Sequence, residues 1–196
     1  MLCLDLSHIP KLHTPRLYLR ELVDADGPAI FELRSEPRVM RYIPKPLNTR
    51  TEEAYALIRE FHQASRRGES IMWGITVKGA NKVMGYIGFW RFLPEHHRAE
   101  LGYALHPDLW GQGLMSEAVA ATLDHGFHGL GLHSVEATVS PDNRASVQVL
   151  ERNGFVLEAH FKENFRHGGV FLDSLVYSLL APPVDGPDGS KQPLHE

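Results

Sequence analysis

Apolar and polar residues alternate, or apolar residues run together, in seven short segments of the chain, and this pattern predicts strands. A strand with one buried face alternates at period two, whereas a strand buried on both faces is continuously apolar. The last two segments lie on either side of the turn RHGG and predict a terminal hairpin. The predicted strands cover residues 17–23, 71–77, 83–92, 99–105, 134–139, 155–164 and 170–179.

Four other segments repeat their apolar residues every three or four positions, as amphipathic helices do. Thr49 and Glu52 fit a T-x-x-E capping box before the second helix, and Asn153–Gly154 is a stop signal after the fourth. The order β-α-α-β-β-β-α-β-α-β-β predicts an α/β protein of mixed α+β type, with strands in the centre and helices on the faces. The predicted helices cover residues 26–35, residues 49–67, a segment reaching residue 127, and residues 143–154.

The same pattern predicts how the chain is divided. A length of 196 residues suits one domain with a sizeable core. We predict a single domain over residues 14–180 and an N-terminal arm over residues 1–13. Residues 181–196 are rich in proline, glycine and charge, which predicts a disordered tail.

Composition narrows the classes of partner and compartment. Lysine and arginine number 20 against 24 acidic residues, a net charge of -4, so no overall charge attracts nucleic acid or an anionic membrane. No segment approaches the ~18 consecutive apolar residues of a membrane span. The single cysteine, Cys3, excludes an internal disulfide and suits a reducing compartment. We therefore expect a cytoplasmic protein without nucleic-acid or membrane partners.

The stretch HPDLWGQGLMSEAV places two glycines directly before an amphipathic helix. A helix N-terminus carries unsatisfied N–H groups and a positive dipole end, and Gly111 and Gly113 would let an anion approach the backbone closely. The stretch lacks the lysine of a P-loop and the three-glycine dinucleotide fingerprint. A plain tight turn is the alternative. The candidate anion ligands are the N–H groups of Gln112, Gly113, Leu114, Met115 and Ser116.

Two longer stretches carry a family resemblance. AELGYALHPDLWGQGLMSEAV, followed by SPDNRASVQVLERNGFVLE, resembles the GNAT superfamily of acyl-CoA-dependent N-acetyltransferases. The opening LHTPRLYLRELVDAD and the end RHGGVFLDSLVYSL fit its RimJ/RimL-like branch, the ribosomal-protein N-terminal acetyltransferases. The resemblance covers residues 12–180. It implies a central mixed, mostly antiparallel sheet of about seven strands, flanked by about four helices. That sheet would splay between the strands at 99–105 and 134–139.

The resemblance implies acetyl-CoA as co-substrate and no metal. The glycine loop would hold the pyrophosphate, although Trp110 and Met115 depart from the broad family pattern. The pantetheine would lie in the splay against the backbone of Tyr103, Ala104 and Leu105. Twelve histidines are present, yet none stand at a spacing typical of a metal site.

Asn143 and Ser146 are further candidates from the resemblance. Asn143 would bind the cofactor or anchor the splayed strands, and it also fits the N-cap of its own helix. Ser146, three residues later, would contact the cofactor and give a proton to the leaving thiolate. The alternative for Ser146 is a solvated residue or a member of the cap network.

Glu100 is the candidate general base, because its position matches a glutamate that several family members use, often through water. The alternative is a structural carboxylate paired with Arg91 or Arg98. Acetyl transfer needs a neutral amine, and an α-amine with a pKa near ~7.8 is roughly one-tenth neutral at pH 7. A base therefore favours the reaction.

The resemblance leaves three functions open. The first is acetylation of a protein or peptide N-terminal α-amine by direct attack in a ternary complex. The second is acetylation of a small amine such as an amino acid, polyamine or antibiotic, and the third is a non-catalytic acyl-CoA-binding module. Tyr42 is the candidate acceptor-binding residue, and its loop carries Arg41, Lys45 and Arg50, which favours an acidic or carboxylate-bearing acceptor. Monomer and homodimer remain equally open.

Overall fold

The computed structural model of the protein describes residue 2, residue 6 and residues 8–183. The predicted tail lies outside these residues from position 184 onward, as do residues 1, 3–5 and 7 of the predicted arm. Eight strands form one sheet in the order β1-β2-β3-β4-β5-β6-β8-β7. They are β1 (Leu12–His13), β2 (Leu17–Arg20), β3 (Ser70–Val77), β4 (Val83–Leu93), β5 (Arg98–Leu105), β6 (Ser134–Val139), β7 (Val156–His167) and β8 (Val170–Leu180).

Helices cover both faces of the sheet. One core cluster joins the sheet to α4 and α5, and a second joins it to α1, α2 and α3. Trp73 and Phe89 are the largest fully buried side chains, and both belong to the first cluster. The helices are α1 (Gly27–Ser35), α2 (Pro37–Met40), α3 (Thr51–Arg66), α4 (Leu114–Asp124) and α5 (Arg144–Arg152).

The predicted mixed α/β architecture is confirmed, with one strand and one helix more than expected. The additional strand is β1, which is only two residues long and therefore too short to show alternation. The additional helix is α2, a four-residue turn that begins at Pro37. The terminal hairpin is confirmed, with β7 pairing antiparallel to β8.

The predicted capping box before α3 is wrong. The helix begins at Thr51, with Arg50 as an N-cap residue that makes no side-chain cap bond. The carboxylate that serves Thr49 belongs to Glu53, which accepts from the Thr49 backbone N–H at 2.8 Å and from its hydroxyl at 3.2 Å. The helix starts one residue later than the box requires, so Glu53 rather than Glu52 is the third helical residue.

The predicted splay lies between β5 and β6. These strands are parallel neighbours, yet they pair only over three residues, from Arg98 opposite Ser134 to Glu100 opposite Glu136. Beyond Glu100, β5 stays paired with β4 as far as Leu105, and β6 stays paired with β8. A cleft therefore opens between two strands that are each supported on their other side.

The described residues also bear on two other classes of function. No helix within them combines the length and apolar character needed to cross a membrane. Over the same part of the chain, no group of three histidine, cysteine, aspartate or glutamate side chains stands close enough to hold a metal ion. The cleft between β5 and β6 is the candidate functional site.

Candidate active site

The glycine loop between β5 and α4 leads directly into the N-terminus of α4. Gly111 and Gly113 have φ values of 72° and 73°, in the left-handed region where residues with a Cβ are strained. A Cβ on Gly111 would meet no other atom within 4 Å, so the backbone conformation alone selects glycine there. Glycine in this loop is therefore required by the turn itself.

The first N–H groups of α4 are available to a ligand. The first intrahelical bond runs from Glu117 N–H to Gly113 O at 3.1 Å. The N–H groups of Leu114, Met115 and Ser116 meet no backbone carbonyl among the described residues. The side chains of Leu114 and Met115 are buried in the core, so these two residues offer only backbone donors. With the helix dipole, these donors make an anion site.

Trp110 occupies the position where the family pattern has a glutamine or arginine, and it ties the loop to β5. Its indole Nε1–H donates to the carbonyl of Leu105 at 2.8 Å. The side-chain amide of Gln112 donates to the carbonyl of Asp108 at 2.9 Å, within the same loop. The loop is thus anchored to the end of the strand that borders the cleft.

Arg16, which the sequence analysis did not single out, braces the loop from the β1–β2 turn. Its guanidinium donates to the carbonyl of Gln112 at 2.9 Å and to Glu117 Oε2 at 2.6 Å. Thr14 and the Arg16 backbone N–H also donate to this carboxylate. Partial burial opposes ionisation of Glu117, but these hydrogen bonds and the Arg16 charge prevail and lower its pKa. Arg16 therefore adds a fixed positive charge beside the candidate anion site.

Strand alternation determines which backbone groups of β5 face the cleft. The N–H of His106 donates to Met84 O on β4 at 2.7 Å, so even-numbered residues of β5, Ala104 included, direct their N–H and C=O towards β4. Tyr103 and Leu105 point the other way. The carbonyl of Leu105 accepts from Trp110, so Leu105 offers only its N–H to the cleft, whereas Tyr103 directs both its N–H and its C=O there.

Glu100 lies where β5 and β6 begin to separate. Its side chain is only 9% exposed, and Oε2 is 2.9 Å from the guanidinium of Arg91. Burial raises the pKa of Glu100 more than Arg91, Thr138 and Arg98 lower it, so the pKa is higher than usual. Arg98 pairs instead with Glu136. The ion pair considered as the alternative role is therefore present, with Arg91 as its partner.

An open pocket of about 540 Å³, formed at the start of β5, lies beside this carboxylate. Arg91 reaches it from a bulge in β4, where its own φ is 49° and the register shifts between Trp90 and Leu93. The Arg91 guanidinium also stacks 4.3 Å above the ring of Trp90. This pocket is lined by Arg91, Phe92, Leu93, Arg98, Ala99, Glu100 and Glu136.

Tyr103 and Ser146 meet across the splay. The phenol oxygen of Tyr103 is 2.7 Å from the hydroxyl of Ser146 in the first turn of α5. Burial raises the pKa of Tyr103 to about 12, against the opposing effect of this hydrogen bond. The phenol is therefore protonated at neutral pH. Asn143 is the N-cap of α5, because its Oδ1 accepts from the Ser146 N–H at 3.2 Å.

Two remaining candidates lie beside α5. The hydroxyl of Tyr42 donates to the carbonyl of Asp142 at 3.1 Å, so the α2–α3 loop touches the residue before the α5 N-cap. The hydroxyl of Ser116 accepts from the side-chain amide of Asn153 at 2.9 Å, at the other end of α5. Ser116 thus ties α4 to α5 and keeps its own hydroxyl hydrogen for another acceptor.

The predicted residues follow one another along β5 where it separates from β6. Glu100 lies at the point of separation, Tyr103 contacts Ser146 on the opposite face of the sheet, and β5 leads directly into the glycine loop. Sequence reasoning missed the side-chain role of Tyr103 and the brace from Arg16. Neither has a local sequence signal, because their partners lie 43 and 101 residues away.

Comparisons with known proteins identify the family of the chain. The family described as "Acetyltransferase (GNAT) domain" matches residues 16–156. The uncharacterised N-acetyltransferase YoaA of Bacillus subtilis (strain 168) is 35% identical over 173 residues, covering 88% of this chain and 98% of YoaA. The ribosomal protein uS5-alanine N-acetyltransferase of Escherichia coli (strain K12) is 26% identical over 189 residues, covering 90% and 94%.

A solved structure shares the fold. It is RimL, the ribosomal L7/L12 alpha-N-protein acetyltransferase, in complex with coenzyme A, with a TM-score of 0.80. The two chains are 24% identical, and the match covers 87% of this chain and 98% of RimL. At this identity the likeness shows the fold alone.

Proposed function

Because the chain belongs to the GNAT family of N-acetyltransferases, we propose that it transfers the acetyl group of acetyl-CoA to the N-terminal α-amine of a protein or peptide. The observation that supports the proposal is the separation of β5 from β6, with Glu100 where the strands part and the Tyr103–Ser146 contact beyond it. The ribosomal protein uS5-alanine N-acetyltransferase of Escherichia coli, whose match covers 90% of this chain, supports a protein acceptor.

The chain's own residues suit the co-substrate. The free N–H groups at the start of α4, with Arg16 beside them, have the charge and geometry that a pyrophosphate requires. The free backbone of Tyr103 suits the amide groups of a pantetheine arm, which would continue the ladder that β6 leaves incomplete. Acetyl-CoA supplies the activated acyl group as a thioester. Coenzyme A bound to the related RimL supports this assignment.

The reaction requires two proton movements, and a different residue serves each. As the amine nitrogen bonds to the acetyl carbon, Glu100 accepts the amine proton, directly or through water, and its raised pKa brings its basicity closer to neutral pH. As the carbon–sulfur bond breaks, Ser146 gives a proton to the thiolate and regains one from solvent, to which Glu100 releases the amine proton, so that one proton passes from nitrogen to sulfur overall. The backbone N–H of Tyr103 is the available donor to the developing oxyanion.

Tyr103 orients Ser146 for this step. The phenol, whose pKa is about 12, stays protonated throughout the working range, and when it donates to Ser146 Oγ the serine hydrogen is free for sulfur. Asn143 holds the same residue by capping its N–H. Tyr42, attached to the neighbouring Asp142, borders the entrance for the acceptor.

The deciding experiment measures free-thiol release from acetyl-CoA with two acceptor panels. One panel contains peptides with free N-termini that begin with serine, alanine, threonine or methionine, and the other contains amino acids, polyamines and aminoglycosides. Turnover of the peptides supports the proposal. Turnover confined to small amines contradicts it, and binding of acetyl-CoA with no turnover on any acceptor indicates a non-catalytic module.

A further inference from the structure

Arg34 on α1 is a buried cation without a buried counter-charge. Only 8% of the residue is exposed. No carboxylate of the described residues lies within 4 Å of its guanidinium, and its Nε–H, sealed from solvent, has no partner there. Over the described part of the chain, the guanidinium is hydrogen-bonded through Nη1 to the phenol oxygen of Tyr86 at 3.4 Å. An unpaired buried charge is costly, so its retention calls for an anionic partner.

The nearby acidic side chains are already paired with other cations. Glu36 makes two hydrogen bonds to Arg38, at 2.8 and 3.0 Å. Glu32 pairs with Lys82 at 2.5 Å. Glu32 and Glu36 therefore pair with other cations, and neither pairs with the guanidinium of Arg34.

Two polar residues that contact Arg34 each have an unused donor. Tyr86 is itself 8% exposed, and because its oxygen accepts from Arg34, its hydroxyl hydrogen remains to be donated. Asn48 is attached to the same helix through its backbone N–H, which donates to the Arg34 carbonyl at 3.1 Å. The side-chain amide nitrogen of Asn48 is also buried and lacks an acceptor among the described residues. Donors without acceptors select a ligand rich in acceptor oxygens.

This group lies next to the transfer cleft. Tyr86 on β4 is the cross-strand partner of Ala104 on β5, the residue that follows Tyr103. Tyr86 and Ala104 belong to the same core cluster, on the face covered by α1 and α3. The α2–α3 loop, which contains the basic residues Arg41, Lys45 and Arg50, runs beside it and contacts α5 through Tyr42. A ligand here would lie one strand from the reacting groups.

We infer that Arg34 and Tyr86 form a carboxylate-binding subsite for the acceptor. The inference rests on the proposed acetyl transfer and names the class of amine accepted: one that carries a carboxylate close to the reacting nitrogen. A peptide supplies this group as an acidic side chain next to its N-terminus, and a free amino acid supplies it as its α-carboxylate. A charge-assisted hydrogen bond between guanidinium and carboxylate provides both affinity and discrimination against the neutral amide.

The test compares acceptors that differ only in this carboxylate. One pair is two C-terminally amidated peptides beginning Ala-Glu-Ala and Ala-Gln-Ala, and the other is alanine and alaninamide. We expect the wild type to favour the carboxylate member of at least one pair by about tenfold or more in kcat/KM. Arg34→Leu should bring that ratio close to one without changing the KM for acetyl-CoA. Arg38→Leu, which removes an exposed arginine four residues away, should keep the ratio.

A ratio that is the same in the wild type and in Arg34→Leu overturns the inference. Tyr86→Phe provides a second variant, because it keeps the ring and removes only the hydroxyl, and it should reduce the ratio in part. The pair that responds identifies the source of the carboxylate, an acidic peptide or an amino acid.

A binding measurement separates this inference from the proposed function. Thermal unfolding is followed in sodium glutarate and in sodium chloride at equal ionic strength, without acetyl-CoA. Glutarate should raise the Tm of the wild type and of Arg38→Leu but not that of Arg34→Leu. Equal shifts in all three proteins, or none in the wild type, overturn the subsite. If acetyl-CoA binds but no acceptor turns over, the proposed function fails, and the glutarate result still decides the subsite.

Discussion

The phenol of Tyr103 on β5 and the hydroxyl of Ser146 on α5 lie 2.7 Å apart and join the two sides of the cleft. Burial raises the pKa of Tyr103 to about 12, so both hydroxyls carry a hydrogen at neutral pH and either can donate to the other. The phenol also lies 3.4 Å from the carbonyl oxygen of Ser146, so two contacts join Tyr103 to this residue. The relationship makes the pair, rather than either residue alone, the unit to be tested.

Removing either hydroxyl should slow the chemical step. Ser146→Ala should lower kcat by about 10²-fold, the lower end for loss of a general acid, while Tyr103→Phe should lower it about tenfold. The KM for acetyl-CoA should change little in both. Steady-state kinetics of the two single variants and the double variant form the check. If the two factors multiply in the double variant, the residues act independently and the orienting role of Tyr103 is wrong.

Glu100→Gln should lower kcat and flatten the acidic limb of the pH–rate profile. The wild-type limb reflects protonation of the base, and it should lie above the usual glutamate pKa of about 4.3, because burial raises the pKa of Glu100. Glu136→Gln is the matched control, since Glu136 is the cross-strand neighbour of Glu100 and pairs with Arg98. Retention of the acidic limb in Glu100→Gln would exclude this carboxylate as the base.

The raised pKa of Glu100 also predicts a pH-dependent stability. Below the unfolded-state pKa of about 4.3 the carboxyl is neutral in both states and costs nothing. As pH rises through the folded-state pKa, the folded state holds the proton longer, so stability falls and then levels off. The Tm advantage of Glu100→Gln over the wild type should therefore grow with pH and reach a plateau. Each kcal/mol corresponds to roughly 2–4 °C, and an advantage independent of pH would contradict this account.

Gly111→Ala should weaken acetyl-CoA binding beyond its cost in stability. Gly79 is a matched control, because its φ is 85° and, as at Gly111, a Cβ would meet no other atom within 4 Å. Each substitution should destabilise the protein by about 1 kcal/mol through the left-handed backbone. Calorimetric titration with acetyl-CoA should show a loss of affinity only in Gly111→Ala. Equal affinities would mean that the loop is a plain turn.

Arg16→Leu should raise the Kd for acetyl-CoA by about tenfold and leave kcat at saturation nearly unchanged. The substitution removes a positive charge beside the loop and the bond to the Gln112 carbonyl. Arg67→Leu is the control, because Arg67 is an exposed partner of Glu69 at the end of α3. Raising the salt concentration should narrow the difference between wild type and Arg16→Leu. A Kd unaffected by Arg16→Leu would limit this residue to holding the fold.

Features with a local signal in the sequence could be predicted from it. The strands, the long helices and the hairpin follow from periodicity and turn residues, and the glycine loop and the Asn143 cap follow from short motifs, because each of these signals lies within a few neighbouring residues. The sequence did not predict β1 and α2, because two and four residues are too few to show a periodic pattern. The capping box failed because two glutamates stand side by side and only the observed helix start selects Glu53.

Contacts between residues far apart in the chain become visible only in the folded structure. Tyr103 reaches Ser146 because β5 and β6 separate after three paired residues, and Arg16 reaches Glu117 because the β1–β2 turn packs against α4. Arg34 is left without a carboxylate because Glu32 and Glu36 turn to other cations. Such contacts depend on sheet order and packing, which bring together residues 43, 101 and 52 positions apart. The local sequence pattern therefore does not predict these contacts.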